Sequence, residues 1–147
     1  MKIGSVLVVC VGNICRSPLG ERLLRAALPD LVVASAGLAA VEGAGADPVM
    51  TAAAAEIGLS LDGHVAQPLT AALGTGHDLI LVMEPSHRTE IQRRFSQLSG
   101  RTLLFDQWAG ARGIADPYRK PIEDHRRIRD QIAAAAAAWV PHLQGRG

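Results

Sequence analysis

The sequence predicts an α/β fold: a four-stranded parallel sheet with helices on both faces. Two observations carry that prediction. Short, continuous apolar runs recur along the chain, as strands buried on both faces require. Between them lie longer segments with apolar residues at helical spacing, so strands and helices alternate, the pattern of a parallel sheet linked by right-handed crossovers. The chain has 147 residues, which fits a single domain over 1–147. A chain of that size buries about two thirds of its unfolded surface and needs no disulfide or metal staple.

Ser5-Val6-Leu7-Val8-Val9 reads as the first strand, with Cys10 at its carboxyl end. Leu19 to Leu28 reads as the first helix, with Ser17 as its N-cap and Pro18 in its first turn. Asp30 opens a second strand, Leu31-Val32-Val33-Ala34-Ser35, closed by Ala36-Gly37. Leu38 to Gly45 is a Gly- and Ala-rich loop, after which Asp47-Pro48 starts a helix that Gly58 ends. Asp78-Leu79-Ile80-Leu81-Val82-Met83 is the third strand, and Ser86 is expected to cap a helix with Ile91, Phe95 and Leu98 on one face. Thr102-Leu103-Leu104-Phe105 is the fourth strand. The last helix, Ile122 to Leu143, carries Ile128, Ile132, Ala135, Trp139 and Leu143 at helical spacing, and its run of alanines is helix-forming. The expected strand order is the flavodoxin-like 2-1-3-4. Ligands in such sheets bind outside the carboxyl ends of the strands, where Cys10 falls.

Composition excludes several classes. With 15 basic and 14 acidic side chains the net charge is +1, so no long-range field recommends nucleic acid as a partner. Arg126, Arg127 and Arg129 form a small basic cluster on the last helix, read as a solvated face. No apolar run approaches the ~20 residues of a membrane span, so insertion into a membrane is not expected. The run before Cys10 is too short, and Val9 too bulky, for a lipoprotein signal. Two cysteines without a signal peptide point to a reducing compartment, the cytoplasm.

Cys10-Val11-Gly12-Asn13-Ile14-Cys15-Arg16-Ser17-Pro18 carries the chemistry. A loop turning from a strand into a helix directs its backbone N–H groups inward as an anion-binding concavity, and the helix dipole adds positive charge there. Arg16 supplies a planar fork of donors matched to two phosphate oxygens. All of this favours negative charge at Cys10, hence a thiolate nucleophile in a cradle for a phosphate dianion. Five residues between Cys10 and Arg16 are enough to wrap one tetrahedral anion and hold phosphorus for in-line attack. The Gly-Lys-Ser/Thr ending of a nucleotide-binding loop is absent. Cys10 and Cys15 lack the second pair or nearby His that a metal site needs, so no metal is expected. An inert, packed cysteine at the strand end stays open on residue type alone. Release of an ester oxygen requires a proton, so a carboxylic acid must face the cradle. Among eight aspartates and six glutamates, Asp116 stands out in the loop Ile114-Ala115-Asp116-Pro117-Tyr118, where Pro117 stiffens the backbone and Tyr118 offers an aromatic wall. Asp-Pro in a loop is also a common turn.

The run Val9 to Pro18 resembles the active-site loop of the low-molecular-weight protein tyrosine phosphatases almost letter for letter, and Asp116-Pro117-Tyr118 resembles their second signature. The resemblance implies that Cys10 is a nucleophile forming a phosphocysteine and that Arg16 binds the phosphate oxygens and the transition state. It implies that Asp116 protonates the leaving phenolate and then takes a proton from the hydrolytic water. Val11, Gly12, Asn13, Ile14 and Cys15 would surround the phosphate, and Ser17 would stabilise the thiolate through its hydroxyl. Asn13 would hold a left-handed backbone shape supported by Ser35 and His64, neither of them catalytic. Cys15 is either a small buried side chain or, as in the family, a thiol able to close a protective disulfide with the nucleophile. A deep pocket selects phosphotyrosine over phosphoserine by reach, with Tyr118 as one wall and Leu38 or Val41 as another.

Leu38 and Tyr118-Arg119, with Ser35-Ala36-Gly37, Gly45-Ala46-Asp47-Pro48 and Leu61-Asp62-Gly63-His64, look like the bacterial branch associated with exopolysaccharide or capsule production. That branch implies a phosphotyrosine protein as partner, an autophosphorylated bacterial tyrosine kinase. A monomer is expected. Gln67-Pro68 departs from the family pattern and removes a supporting ion pair. Gly20 departs too, at about 0.5–1 kcal/mol against the helix unless close packing needs it. An arsenate reductase of the same fold would need further cysteines, and none follows Cys15. A non-catalytic phosphate-binding module would have no use for Asp116 as a proton donor. No metal or organic cofactor is implied, because thiolate, guanidinium and amides supply the charges that phosphoryl transfer needs.

Overall fold

The continuous apolar runs pair side by side in the computed structural model, which describes residues 2–144. Strands β1 (Ser5–Cys10), β2 (Val32–Gly37), β3 (Leu79–Val82) and β4 (Thr102–Leu104) form one parallel sheet ordered β2-β1-β3-β4. Alternation along β1 splits the core in two. Val6 and Val8 face one side with residues of helices α1 (Arg16–Ala27), α2 (Pro48–Ala55) and α5 (Ile122–Leu143). Leu7 and Val9 face the other side with Leu73 of α3 (Ala71–Thr75) and Ile91 of α4 (Pro85–Arg94). Helices therefore cover both faces, as the doubly hydrophobic strands demand.

The long C-terminal helix follows its apolar spacing: Ile128, Ile132, Ala135, Trp139 and Leu143 are all buried. Each large side chain so buried contributes about 1.5–3 kcal/mol. Trp139 also donates its indole N–H to the Phe105 carbonyl at 2.8 Å, which ties α5 to the chain leaving β4.

Several boundaries differ from the sequence expectation. Helix α1 begins at Arg16 with Cys15 at the cap position, and Ser17 is not the N-cap. Its hydroxyl is drawn instead to the Cys10 sulfur and the Asn13 amide, because Ser17 lies inside the first turn, one residue past the helix start at Arg16. Ser86 does not cap α4 either; Pro85 takes the first position behind Glu84, where proline's fixed φ suits the turn. Phe95 leaves the helical conformation at φ −139°, so Leu98 reaches the core from a 3₁₀ turn, Ser96–Arg101, rather than from α4. The short α3 was not expected, although Thr70 caps it by accepting from the Leu73 amide at 3.1 Å.

The arginines on α5 are not a free basic face. Arg126 and Arg129 both bind Glu56 just beyond α2, and Arg129 is buried, donating also to the Ala53 carbonyl at 3.0 Å. Arg127 pairs with Asp124. The charges clip two helices together rather than offering a surface to an anion.

Gly20 answers to packing. A Cβ there would lie 3.0 Å from the Phe105 ring and 3.2 Å from Val8, so the missing side chain lets α1 settle onto the sheet.

Candidate active site

The loop Cys10–Arg16 leaves β1 at its carboxyl end and enters α1, and its shape is set by where its carbonyls go. Cys10, Val11, Gly12 and Ile14 carbonyls accept from the amides of Leu38, Ala39, Val41 and Asp47 at 2.9, 2.9, 3.0 and 2.7 Å. The Asn13 carbonyl accepts from His64 Nε2 at 2.6 Å. All peptide bonds among the described residues are trans, so each N–H of the same peptide unit points the opposite way. Five carbonyls tied outward therefore turn the amides of Val11 to Cys15 inward, as an anion cradle requires. Gly37 is needed here: a Cβ on it would come 2.5 Å from the Val11 carbonyl oxygen.

Asn13 is the keystone residue, at φ +57° in the left-handed region. Its Nδ2 donates to Ser17 Oγ at 2.8 Å and to Ser35 Oγ at 3.0 Å, and its Oδ1 accepts from the Gln67 amide at 2.9 Å. Ser35 in turn donates its hydroxyl hydrogen bond to Glu21 Oε1 at 2.7 Å. Ser17 Oγ already accepts from Asn13, which frees its hydroxyl proton for Cys10 Sγ at 2.9 Å. Glu21 is buried in α1 and matched by Arg22 and Arg25 at 3.0 and 3.2 Å. Gln67 does more than replace an ion pair, since its side chain also donates to the Ser35 carbonyl at 3.0 Å.

Arg16 is buried, and its Nη1 donates to Glu84 Oε2 at 2.6 Å and to the Ile114 carbonyl at 2.7 Å. Nη2 lies 3.8 Å from Asp116 Oδ2. The guanidinium is thus aimed by two acceptors before any ligand arrives. His87 sits 3.5 Å from Glu84, and burial together with the Arg16 charge pushes its pKa down, so it adds no second cation there. Asp116 accepts from the Tyr118 amide at 3.0 Å and is half exposed. Tyr118 is exposed and carries the Arg119 guanidinium 5.3 Å from its ring centre.

Cys10, Val11, Gly12, Ile14, Cys15, Arg16, Ala39, Val41, Asp116 and Tyr118 line one cavity of about 200 Å³. The wall facing Tyr118 is built by Ala39 and Val41, while Leu38 packs with the Leu7 and Val9 side of the core. Leu38 follows Gly37 as the chain leaves β2, and its amide binds Cys10, which turns the side chain inward. Both cysteines are free thiols and buried, and burial, with Asp47 adding to it, pushes the Cys15 thiol well above its ordinary range. Sequence reading missed Glu21 and Glu84. Glu21 was findable in principle, lying one helical turn after Ser17 on the same face; Glu84 is 68 residues from Arg16 and only the fold joins them.

A strand-loop-helix anion cradle with a cysteine at its floor and an arginine at its rim defines a class of thiol-based phosphate-handling proteins, and comparison narrows it. The family described as "Low molecular weight phosphotyrosine protein phosphatase" matches residues 5–146, and the chain belongs to that family of hydrolases. It is 49% identical to the probable low molecular weight protein-tyrosine-phosphatase AmsI of Erwinia amylovora, over 96% of this chain and 98% of that one. It is 41% identical to the low molecular weight protein-tyrosine-phosphatase Etp of Escherichia coli, over 97% of each. The solved structure of Vibrio vulnificus Wzb in complex with benzylphosphonate superposes with a TM-score of 0.94 at 43% identity, covering 96% of this chain and 99% of that one. No helix of the described residues is long and apolar enough to cross a membrane.

Proposed function

We propose that residues 1–147 act as one monomeric phosphatase domain that hydrolyses phosphotyrosine through a phosphocysteine on Cys10. The observation that carries this reading is the convergence of Cys10, Arg16 and Asp116 on the same cavity as five inward-turned amides. In the first half-reaction the Cys10 sulfur attacks phosphorus and the bond to the phenolic oxygen breaks, while Asp116 gives that oxygen a proton. Arg16 and the amides of Val11 to Cys15 stabilise the equatorial oxygens as charge spreads over them. In the second half, Asp116 takes a proton from water as its oxygen attacks phosphorus, and sulfur leaves as thiolate, received by the Ser17 hydroxyl. Asn13, Ser35 and His64 hold the loop and touch no reacting atom.

The cavity walls of Tyr118 and Val41 suit a flat ring. Benzylphosphonate, held by the Vibrio relative, has that shape: an aromatic ring on a short stem ending in a phosphate-like group. The names of the relatives support a tyrosine substrate, and the resemblance to the exopolysaccharide branch supports an autophosphorylated bacterial tyrosine kinase as partner, met in the cytoplasm. Turnover of a phosphotyrosine peptide and of the matching phosphoserine peptide tests the reading. Wild type hydrolyses the first with a higher kcat/KM; Cys10→Ser abolishes turnover, and Asp116→Ala lowers kcat by about 10²–10⁴-fold. Equal rates on both peptides, or an Asp116→Ala variant as fast as wild type, overturn it.

A further inference from the structure

Three ligand-type side chains from three separate elements meet at one buried spot beside the catalytic loop. Cys15 stands at the cap of α1, Asp47 at the N-cap of α2 and His125 in the first turn of α5. One donor atom of each lies within 4.8 Å of the others, and all three residues are buried. The ring of His125 explains why this is more than packing. Its Nδ1 faces the Pro121 carbonyl at 3.2 Å, and a carbonyl accepts, so the ring proton belongs on Nδ1. In the neutral ring Nε2 is then a bare lone pair; it makes no hydrogen bond, with Asp47 Oδ2 3.4 Å away. A lone pair held against a carboxylate, out of reach of water, lacks a positive partner. The Nδ1 contact with a backbone carbonyl is also the contact that orients a metal-binding imidazole.

We propose that Cys15, Asp47 and His125 bind a divalent ion of the zinc type. One thiolate, one carboxylate and one neutral imidazole carry two negative charges, which a divalent ion cancels inside the protein. Sulfur and nitrogen donors select zinc over magnesium or calcium, which take oxygen. The Asp47 carboxylate also accepts from the Met50 amide at 2.9 Å, which fixes its direction, and its amide binds the Ile14 carbonyl, so α2 and the loop hold the site from both sides. On binding, the S–H bond of Cys15 breaks, its proton passes to solvent and a sulfur–metal bond forms. Cys15 borders the catalytic cavity, which supplies a route of entry. The inference does not rest on the phosphatase mechanism: of the three ligands Cys15 alone borders that cavity, and neither Asp47 nor His125 does.

Cobalt(II) added to reduced, metal-free protein tests it, with cobalt standing in for zinc. The expected result is one ion per chain with a thiolate-to-cobalt absorption band. Cys10→Ser retains both, His125→Leu and His125→Phe bind about 100-fold more weakly or worse, and Cys15→Ala loses the band. Zinc then raises the melting temperature of wild type and not of the His125 variants, whose urea midpoints in the absence of metal verify that they fold. No ion bound, as a doubly protonated His125 would give, overturns the proposal. So does wild-type affinity in both His125 variants, or loss of the band in Cys10→Ser, which would put the ion on the nucleophile.

Discussion

Asn13 holds the loop at φ +57° with three side-chain hydrogen bonds, and its amide forms the middle of a relay that runs Glu21, Ser35, Asn13, Ser17, Cys10. Replacing it by alanine keeps the strained backbone and orphans buried partners, a cost of about 2–4 kcal/mol in urea unfolding. Asn13→Gly recovers about 1 kcal/mol of that, the backbone share alone. Equal stability of the two variants would show that the left-handed turn is not what the asparagine supports. The relay was half legible in the chain. Asn13, Ser17, Ser35 and His64 were nameable because a motif quotes them, whereas Glu84 on Arg16 and the meeting of Cys15 with His125 depend on contacts across 68 and 110 residues that no local pattern encodes. Leu38 marks the opposite limit: one register step along the chain decides whether a side chain meets the cavity or the core.

At the scale of elements, helix α1 meets the sheet through Gly20, whose place is tight against Phe105 and Val8. Gly20→Ala gains about 0.5–1 kcal/mol of helix propensity but overpacks a buried ring at about 1–3 kcal/mol, so a net loss of stability is expected in denaturant titration. A net gain would mean that Phe105 yields freely. Helices α2 and α5 are clipped by Glu56 between Arg126 and Arg129, and the Arg126 hydrogen bond leads in holding the Glu56 pKa down at about 2 instead of 4.5. A carboxylate depressed on folding stabilises above its unfolded pKa and loses that contribution as pH falls through the folded one. The melting difference between wild type and Glu56→Gln is therefore present at neutral pH and narrows between about pH 4.5 and 2. It is small throughout, because the carboxylate is exposed to solvent. A difference that does not change with pH would assign the clip to packing. Element identity was readable wherever burial alone dictates it, as in the four continuous strands and the α5 stripe. Caps were readable only in part: Asp47 caps α2 ahead of Pro48 as expected, whereas Ser17 and Ser86 had the right chemistry for a helix end and the fold used the positions otherwise.

Across the whole molecule, the site and the fold are one thermodynamic system, because the cradle exists only when β1, β2 and α1 are assembled. An anion that binds the native state alone stabilises it by about 2.7 kcal/mol at a hundred times its dissociation constant. For a chain of this length that is about 5–10 °C in melting temperature. Inorganic phosphate should produce such a shift in wild type and little in Arg16→Ala, compared as shifts rather than absolute melting points. An equal shift in both would place the anion elsewhere. The topology itself was legible because doubly buried strands leave few ways to connect a parallel sheet. The most direct measurement of the central claim is mass spectrometry of an acid-quenched reaction with a phosphotyrosine peptide. The account predicts one phosphoryl group on the fragment carrying Cys10, absent in Cys10→Ser. Steady turnover with that fragment unmodified at every quench time would contradict it.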